Sequence, residues 1–449
     1  MLVRFQLENW MSFREPASLS LVATKERQHG ERVPKVAKYQ TRVLPVAAIY
    51  GGNASGKTNL FRALHFAKHF VVRGTVPDAR IAVEPFRLDP HAAERASRFD
   101  FEILVGDQMY AYTFAVTRAA VLEERLVHIT STSERVLFDR RDGAPHFDAA
   151  LAKDPFLGFA FRGTRDNQLF LTNAVSQRVE TFRPVYDWFK DTLELVAPDS
   201  RFEPFERFFD EDGPILNGVS DLLPGFDLGF HRLGGEDVPF DALPIAEPVK
   251  AMVQESLPEG ATLRVNAPGN ERFIVSRRGG ELKAQKLVTF HTRTDGAEVR
   301  FDLRHESDGS QRLVELLPAF LDVTNPASHK VYVMDELDRS LHTLLTRRLL
   351  EATLEACGPR SRSQLLLTTH DVSLMDQDLF RRDEMWLVER DATGASSLTA
   401  FSDFKDVRYD KDVRKSYLQG RLGGIPRLRV QGGFGHRAGV RDGGEHGAA

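Results

Sequence analysis

A single cysteine, Cys357, occurs in 449 residues. One thiol closes no internal disulfide and builds no cysteine-based zinc site, so a reducing, cytoplasmic setting fits best. No window approaches the ~20 apolar residues that a membrane span needs, and the opening MLVRFQLENWMSF lacks the apolar stretch of a signal peptide. The chain therefore reads as neither secreted nor membrane-embedded. An excess of one charge sign is missing too: 60 basic residues stand against 64 acidic ones, a formal net charge of -4. Such a balance exerts no overall pull on nucleic acid or anionic lipid and leaves any nucleic-acid contact to a local patch. Solenoid-period repeats are absent, and no long heptad region in the middle suggests a coiled-coil arm.

What is present is ordinary core material, 42% hydrophobic residues, enough for two or three subdomains. Alternation at Val3, Phe5 and Leu7, the segment Leu19 to Val22 and the apolar run Val46 to Tyr50 read as strands. Asn59 to Val72 spaces its apolar residues for a helix with one buried face. From Phe99 to Phe138 the period is two, with Gly106 and Asp107 at a turn, which predicts an antiparallel sheet. Residues 151–260, interrupted by Pro204, Pro214, Pro224, Pro239 and Pro244, are expected to insert a helical subdomain with irregular loops.

Strand signals return at Thr262 to Val265, Phe273 to Ser276, Leu287 to His291 and Val299 to Leu303. A helix over Ser310 to Leu321, the run Val331 to Met334, a helix over Leu341 to Ala356 and the run Gln364 to Thr368 then alternate, favouring a parallel sheet buried on both faces. The fold class predicted is α/β, a mixed-sheet P-loop core with an antiparallel β subdomain and a helical insertion. Its divisions are 1–150, 151–260, 261–423 and a Gly/Arg-rich tail, 424–449, expected to be disordered.

Gly51-Gly52-Asn53-Ala54-Ser55-Gly56-Lys57-Thr58 satisfies the P-loop pattern between an apolar run and a helix. Gly51 and Gly56 permit backbone angles that aim successive N–H groups at phosphate oxygens, and the helix adds its positive end. Lys57 is expected to reach the β and γ phosphates of ATP, and the Thr58 hydroxyl to ligate Mg2+. Gly51, Asn53, Ala54, Ser55, Gly56, Lys57, Thr58 and Asn59 are thus the candidate nucleotide-binding residues.

In KVYVMDELD, Asp335 ends an apolar strand where it can hold the metal or its waters, and Glu336 follows where a carboxylate can polarise the attacking water. His370, just past another strand, is either a strand-end cap or a switch histidine touching the γ-phosphate. Glu306-Ser307-Asp308-Gly309-Ser310-Gln311-Arg312 is either a polar helix cap or a signature sequence. In the second case Ser307 and Gly309 grip the γ-phosphate of another subunit, which requires a head-to-tail dimer with ATP sandwiched between copies.

Together these motifs resemble the ABC-class AAA ATPases of the RloA and AbiL type, relatives of the ATPase subunits of PARIS, Septu and OLD proteins. ENWMSFREPASLSLVATK, AAIYGGNASGKTNLFRAL, PFRLD, ESDGSQRL, DELDRSLH, LLLTTHD, RRDEMWLVE and YLQGRLGGIP carry the resemblance in order along most of the chain except its middle. It implies a sensor or regulatory ATPase in bacterial anti-phage abortive infection, controlling a separate nuclease effector and triggered by a phage protein. By the same resemblance Ser340, Leu341 and His342 occupy the D-loop, which communicates across a dimer. Asn9, Ser12 and Phe13 either bring an N-terminal element near the nucleotide or form a strand-to-turn packing motif.

Two departures stand out: no Q-loop glutamine is identifiable after the first helix, and only about eighty residues follow His370, too few for an OLD-type Toprim nuclease. The doublet Asp376 and Asp378 lacks the glutamate strand that a nuclease metal pair needs. A rival assignment is a DNA-repair or recombination ATPase of the RecF or Rad50 kind that clamps DNA in a salt-sensitive groove.

Overall fold

The computed structural model describes residues 1–141, 144–200, 218, 223–226, 228–267, 271–404 and 413–419. Three sheets organise the chain. The first is antiparallel, in the order β10-β9-β8-β7-β6-β1-β2. It comprises β1 (Leu2–Glu8), β2 (Ala17–Ser20), β6 (Ser97–Val105), β7 (Gln108–Val116), β8 (Val121–Ile129), β9 (Glu134–Arg141) and β10 (Ala144–Phe147). In β6 the alternation places Phe99, Phe101 and Ile103 inward and Arg98, Asp100 and Glu102 outward. A two-strand antiparallel ribbon, β3 (Lys35–Val36) with β4 (Thr41–Arg42), follows β2 in the chain.

The second sheet has the order β11-β17-β18-β5-β19-β20. Its strands are β5 (Val46–Tyr50), β11 (Leu193–Val196), β17 (Val331–Met334), β18 (Gln364–Thr368), β19 (Met385–Arg390) and β20 (Ser396–Ala400). All pair in parallel except the β19–β20 hairpin. Every residue of β5, β17 and β18 is buried, as expected for strands covered on both faces.

Helix α1 (Lys57–Arg73) fills the space between these sheets. Its Phe66 meets Phe99 with ring centroids 5.2 Å apart, and Phe70 meets Phe114 at 5.8 Å. Ala47, Ile49, Val333 and Leu366 close the same core from the parallel sheet. On the opposite face Val46, Ala48, Met334 and Leu367 pack against the helices Asp308–Thr324 and Thr343–Glu355. The result is a layered stack in which β5, β17 and β18 all deliver their C-terminal ends to one edge.

Among the described residues, the stretch 151–260, expected to insert a helical subdomain, holds both helices and strands. Helices α2 (Pro155–Arg162), α3 (Phe170–Ser176) and α4 (Arg183–Asp187) bury Leu157, Phe170 and Val185 in the α1 core. The strand β11 is an edge of the central sheet, paired with β17. Its four residues are too short a signal to separate from helix by periodicity. Strand β12 (Arg232–Val238) and α5 (Glu247–Ser256) instead join β13 (Thr262–Asn266), β14 (Arg272–Arg278), β15 (Glu281–Thr292) and β16 (Glu298–Asp302) in a third sheet with a small core of Phe240, Val253, Phe273 and Val275. Further α-helices among the described residues are α6 (Asp308–Thr324), α7 (Thr343–Glu355) and α8 (Val413–Leu418). The tail 424–449 lies outside the described residues. Among the described residues no helix is long and apolar enough to cross a membrane.

Candidate nucleotide site

At the end of β5 the chain turns through residues 51–56 and enters α1 at Lys57. Gly56 has φ 120°, and a Cβ there would lie 2.5 Å from Ser396 Oγ and 2.8 Å from Ser12 Oγ. At Gly51 a Cβ would fall 2.5 Å from the Val388 carbonyl oxygen. Both glycines are therefore demanded by backbone shape and by close approach.

Beneath the loop, Ser396 Oγ lies 2.5 Å from Ser55 O and 2.8 Å from Ser12 Oγ, and Asn59 donates to Ser12 Oγ at 2.8 Å. Trp10 Nε1 donates to Asn59 O at 2.9 Å. The N-terminal segment thus braces the loop through Ser12, whereas Asn9 does packing work, donating to Ala92 O and accepting the Phe86 amide. Phe13 is wholly buried.

Lys57 is buried, and its Nζ donates to Gly51 O at 2.7 Å, to Gly52 O at 3.2 Å and to His370 Nδ1 at 3.3 Å. Burial lowers its pKa from 10.5 to about 8 against the opposing pull of Asp335, Asp338 and Glu336. His370 is lowered as well, by burial and then by the Lys57 charge. The Lys57 ammonium can only donate, so with Nδ1 accepting from it a neutral His370 ring carries its proton on Nε2.

Register brings the carboxylates here. Met334 pairs with Leu367 across β17 and β18, so Asp335 and Thr368 emerge side by side. Thr368 Oγ1 donates to Asp335 Oδ1 at 2.6 Å and accepts the Glu336 amide at 2.8 Å. Glu336 itself has φ 50°, a left-handed backbone that turns the chain sharply after the strand. Asp335 is 1% exposed, and its Oδ2 has no hydrogen-bond partner.

The loop residues 52–59, Glu336 and His370 line one cavity of about 640 Å³, together with Met11, Ser12, Glu84, Phe86, Arg87, Leu88, Arg390 and Gly394. An orphaned carboxylate oxygen in a buried site fits a cation or its water shell, and the glycine cradle beside a buried ammonium fits phosphate. Buried Ser55 Oγ, also without a partner, adds a further polar atom.

Ser307 and Gly309 do not line this cavity. Ser307 caps α6, accepting from Ser310 N at 3.1 Å. A Cβ on Gly309 would sit 2.7 Å from Ser340 O, so the first turn of α6 packs on the Ser340–Leu341–His342 turn. Asp376 is tied to Arg347 at 2.7 Å, and its Oδ1 accepts the Asp378 amide at 2.9 Å.

Sequence reasoning missed Thr368, Ser396 and the wall formed by Phe86, Leu88 and Arg390. Thr368 had a readable signal, a hydroxyl ending a wholly apolar strand just before His370. Ser396 had none, because it meets Ser55 from 341 residues away. After α1, Glu84 lines the cavity.

A P-loop delivered by a parallel strand, a helix between two sheets and a strand-end acidic pair define a P-loop ATPase of ABC type. Residues 46–376, well over half the chain, match the model of the family described as "AAA domain, putative AbiEii toxin, Type IV TA system". The chain belongs to that AAA family. Among solved structures it is similar to the SmcHead bound to the C-winged helix domain of ScpA, with 11% identity, 89% of this chain and 97% of that chain covered, and a TM-score of 0.39. A likeness that remote carries no functional argument. No curated protein matches the sequence.

Proposed function

We propose that this chain is an ATP-hydrolysing, Mg2+-dependent regulatory subunit of a bacterial anti-phage system of the RloA and AbiL type. The observation that carries the enzymatic part is the buried, partnerless Asp335 oxygen one residue before Glu336, which lines the cavity together with Lys57. The loop from Gly51 through Asn53, Ala54, Ser55, Gly56 and Thr58 to Asn59 encloses the triphosphate, and Lys57 neutralises its β and γ groups. Thr58 and Asp335 would hold magnesium, which would draw charge off the phosphate oxygens. Glu336 orients the attacking water and accepts its proton as the bond from the γ-phosphorus to the bridging oxygen breaks. His370 directs Nε2–H at the γ-phosphate from the end of β18.

Ser307 and Gly309 complete the site in trans. They lie away from Lys57 within one chain, yet form a capped helix start suited to a partner's phosphate, so two copies close head to tail over two nucleotides. Closure and opening then report to a separate nuclease effector after a phage protein is sensed. The family description, "putative AbiEii toxin, Type IV TA system", supports membership of a two-component system.

The test is plaquing on native-host cells carrying wild type or Lys57→Ala, with affinity capture of the tagged protein. Protection lost with Lys57→Ala, and a nuclease co-purifying with wild type, is the expected result. Unchanged plaquing with salt-sensitive DNA binding by the purified protein would instead favour DNA clamping.

A further inference from the structure

Beyond the phosphate loop and the carboxylates, the cavity has a wall that the hydrolytic chemistry does not use, made by Leu88 and the hairpin joining β19 to β20. Leu88, which lines the cavity, is 61% exposed, an apolar side chain left uncovered. Gly394, at φ 82°, lets the hairpin turn press directly on it: a Cβ at Gly394 would collide with Leu88 Cδ1 and lie 3.2 Å from Arg390 Nη2. Arg390 Nε donates to Gly394 O at 3.0 Å, which pins the guanidinium across the same hairpin. Among the described residues Arg390 has no carboxylate partner.

A fixed planar cation without a counter-ion, set beside an exposed aliphatic side chain, is a surface for the face of an aromatic ring. Resting on the nucleotide reading above, we infer that Leu88 and the Arg390 guanidinium form the clamp for the nucleobase, stacking on its π-face while Lys57 holds the phosphates. Phe86, buried with Ala92 and Ala395, backs this wall and also lines the cavity. Gly394 serves the clamp by letting its two halves meet.

The experiment compares affinity for MgATP and for magnesium tripolyphosphate, which has the phosphates and no base, by calorimetry on the full chain. Arg390→Ala is expected to weaken ATP about tenfold and Leu88→Ala several-fold, with tripolyphosphate binding unchanged. Arg390→Lys, which keeps the charge and loses the plane, should recover only part of the loss. Both side chains are exposed, and an unaltered melting temperature establishes that the variants fold. Equal losses for ATP and tripolyphosphate would make Arg390 a phosphate contact and overturn the clamp, as would ATP affinity unchanged in both alanine variants. Wild type binding neither ligand would remove the nucleotide reading itself, a distinguishable failure.

Discussion

The Thr368 hydroxyl donates a hydrogen bond to Asp335 Oδ1 at 2.6 Å, and both groups are almost completely buried. The same oxygen accepts the Glu336 amide, so one hydroxyl aligns both candidate carboxylates. Thr368→Val keeps the shape and leaves a buried carboxylate oxygen and an amide unpaired. It should cost about 2 kcal/mol of stability by urea titration and reduce ATP turnover at least tenfold, whereas Thr368→Ser should restore most of both. Full turnover in the valine variant would detach Thr368 from the mechanism.

The Lys57 amine, lowered to about 8 by burial, is charged below that pH and neutral above it in the free protein. Bound triphosphate favours the charged form, so binding must take up a proton once pH exceeds about 8. ATP affinity should therefore fall between pH 7 and 9. Calorimetry at pH 8.5 in buffers of different ionisation heat should reveal proton uptake by wild type. Lys57→Ala should bind no nucleotide.

Gly56→Ala must displace Ser396 and Ser12 while adopting φ 120°. The strain is about 1–3 kcal/mol, read as a lower melting temperature, with nucleotide binding lost because the loop amides are turned away. Retained ATP affinity would mean that the loop does not grip phosphate through its backbone.

Ser307→Asp preserves the α6 cap, since aspartate caps as well as serine. In a head-to-tail dimer the new carboxylate would face a partner's phosphate. Monomer stability and nucleotide binding should be unchanged, while ATP-dependent dimerisation, measured by light scattering, disappears. Dimers persisting with ATP would exclude the signature role.

The strands β5, β17 and β18 and the helix α1 were legible because each is a continuous apolar run or a clean helical stripe between strong punctuation, and their junctions carry Lys57, Asp335 and His370. Local pattern failed where a short strand gains its identity from a distant partner. Leu193–Val196 is a strand because β17 is beside it. Glu194 within it pairs with Lys330, a contact that spacing along the chain cannot foresee. The same blindness hid Ser396 and Arg390, which reach the cavity only through the β19–β20 hairpin and its register.

The most direct test is pre-steady-state ATP hydrolysis by purified wild type and Glu336→Gln at saturating Mg2+. Wild type should turn over slowly but measurably, and the variant should bind ATP with comparable affinity, hydrolyse it at least a hundredfold more slowly and accumulate as ATP-loaded dimer. Equal hydrolysis by the two proteins would contradict the assignment of Glu336 and the account built on it.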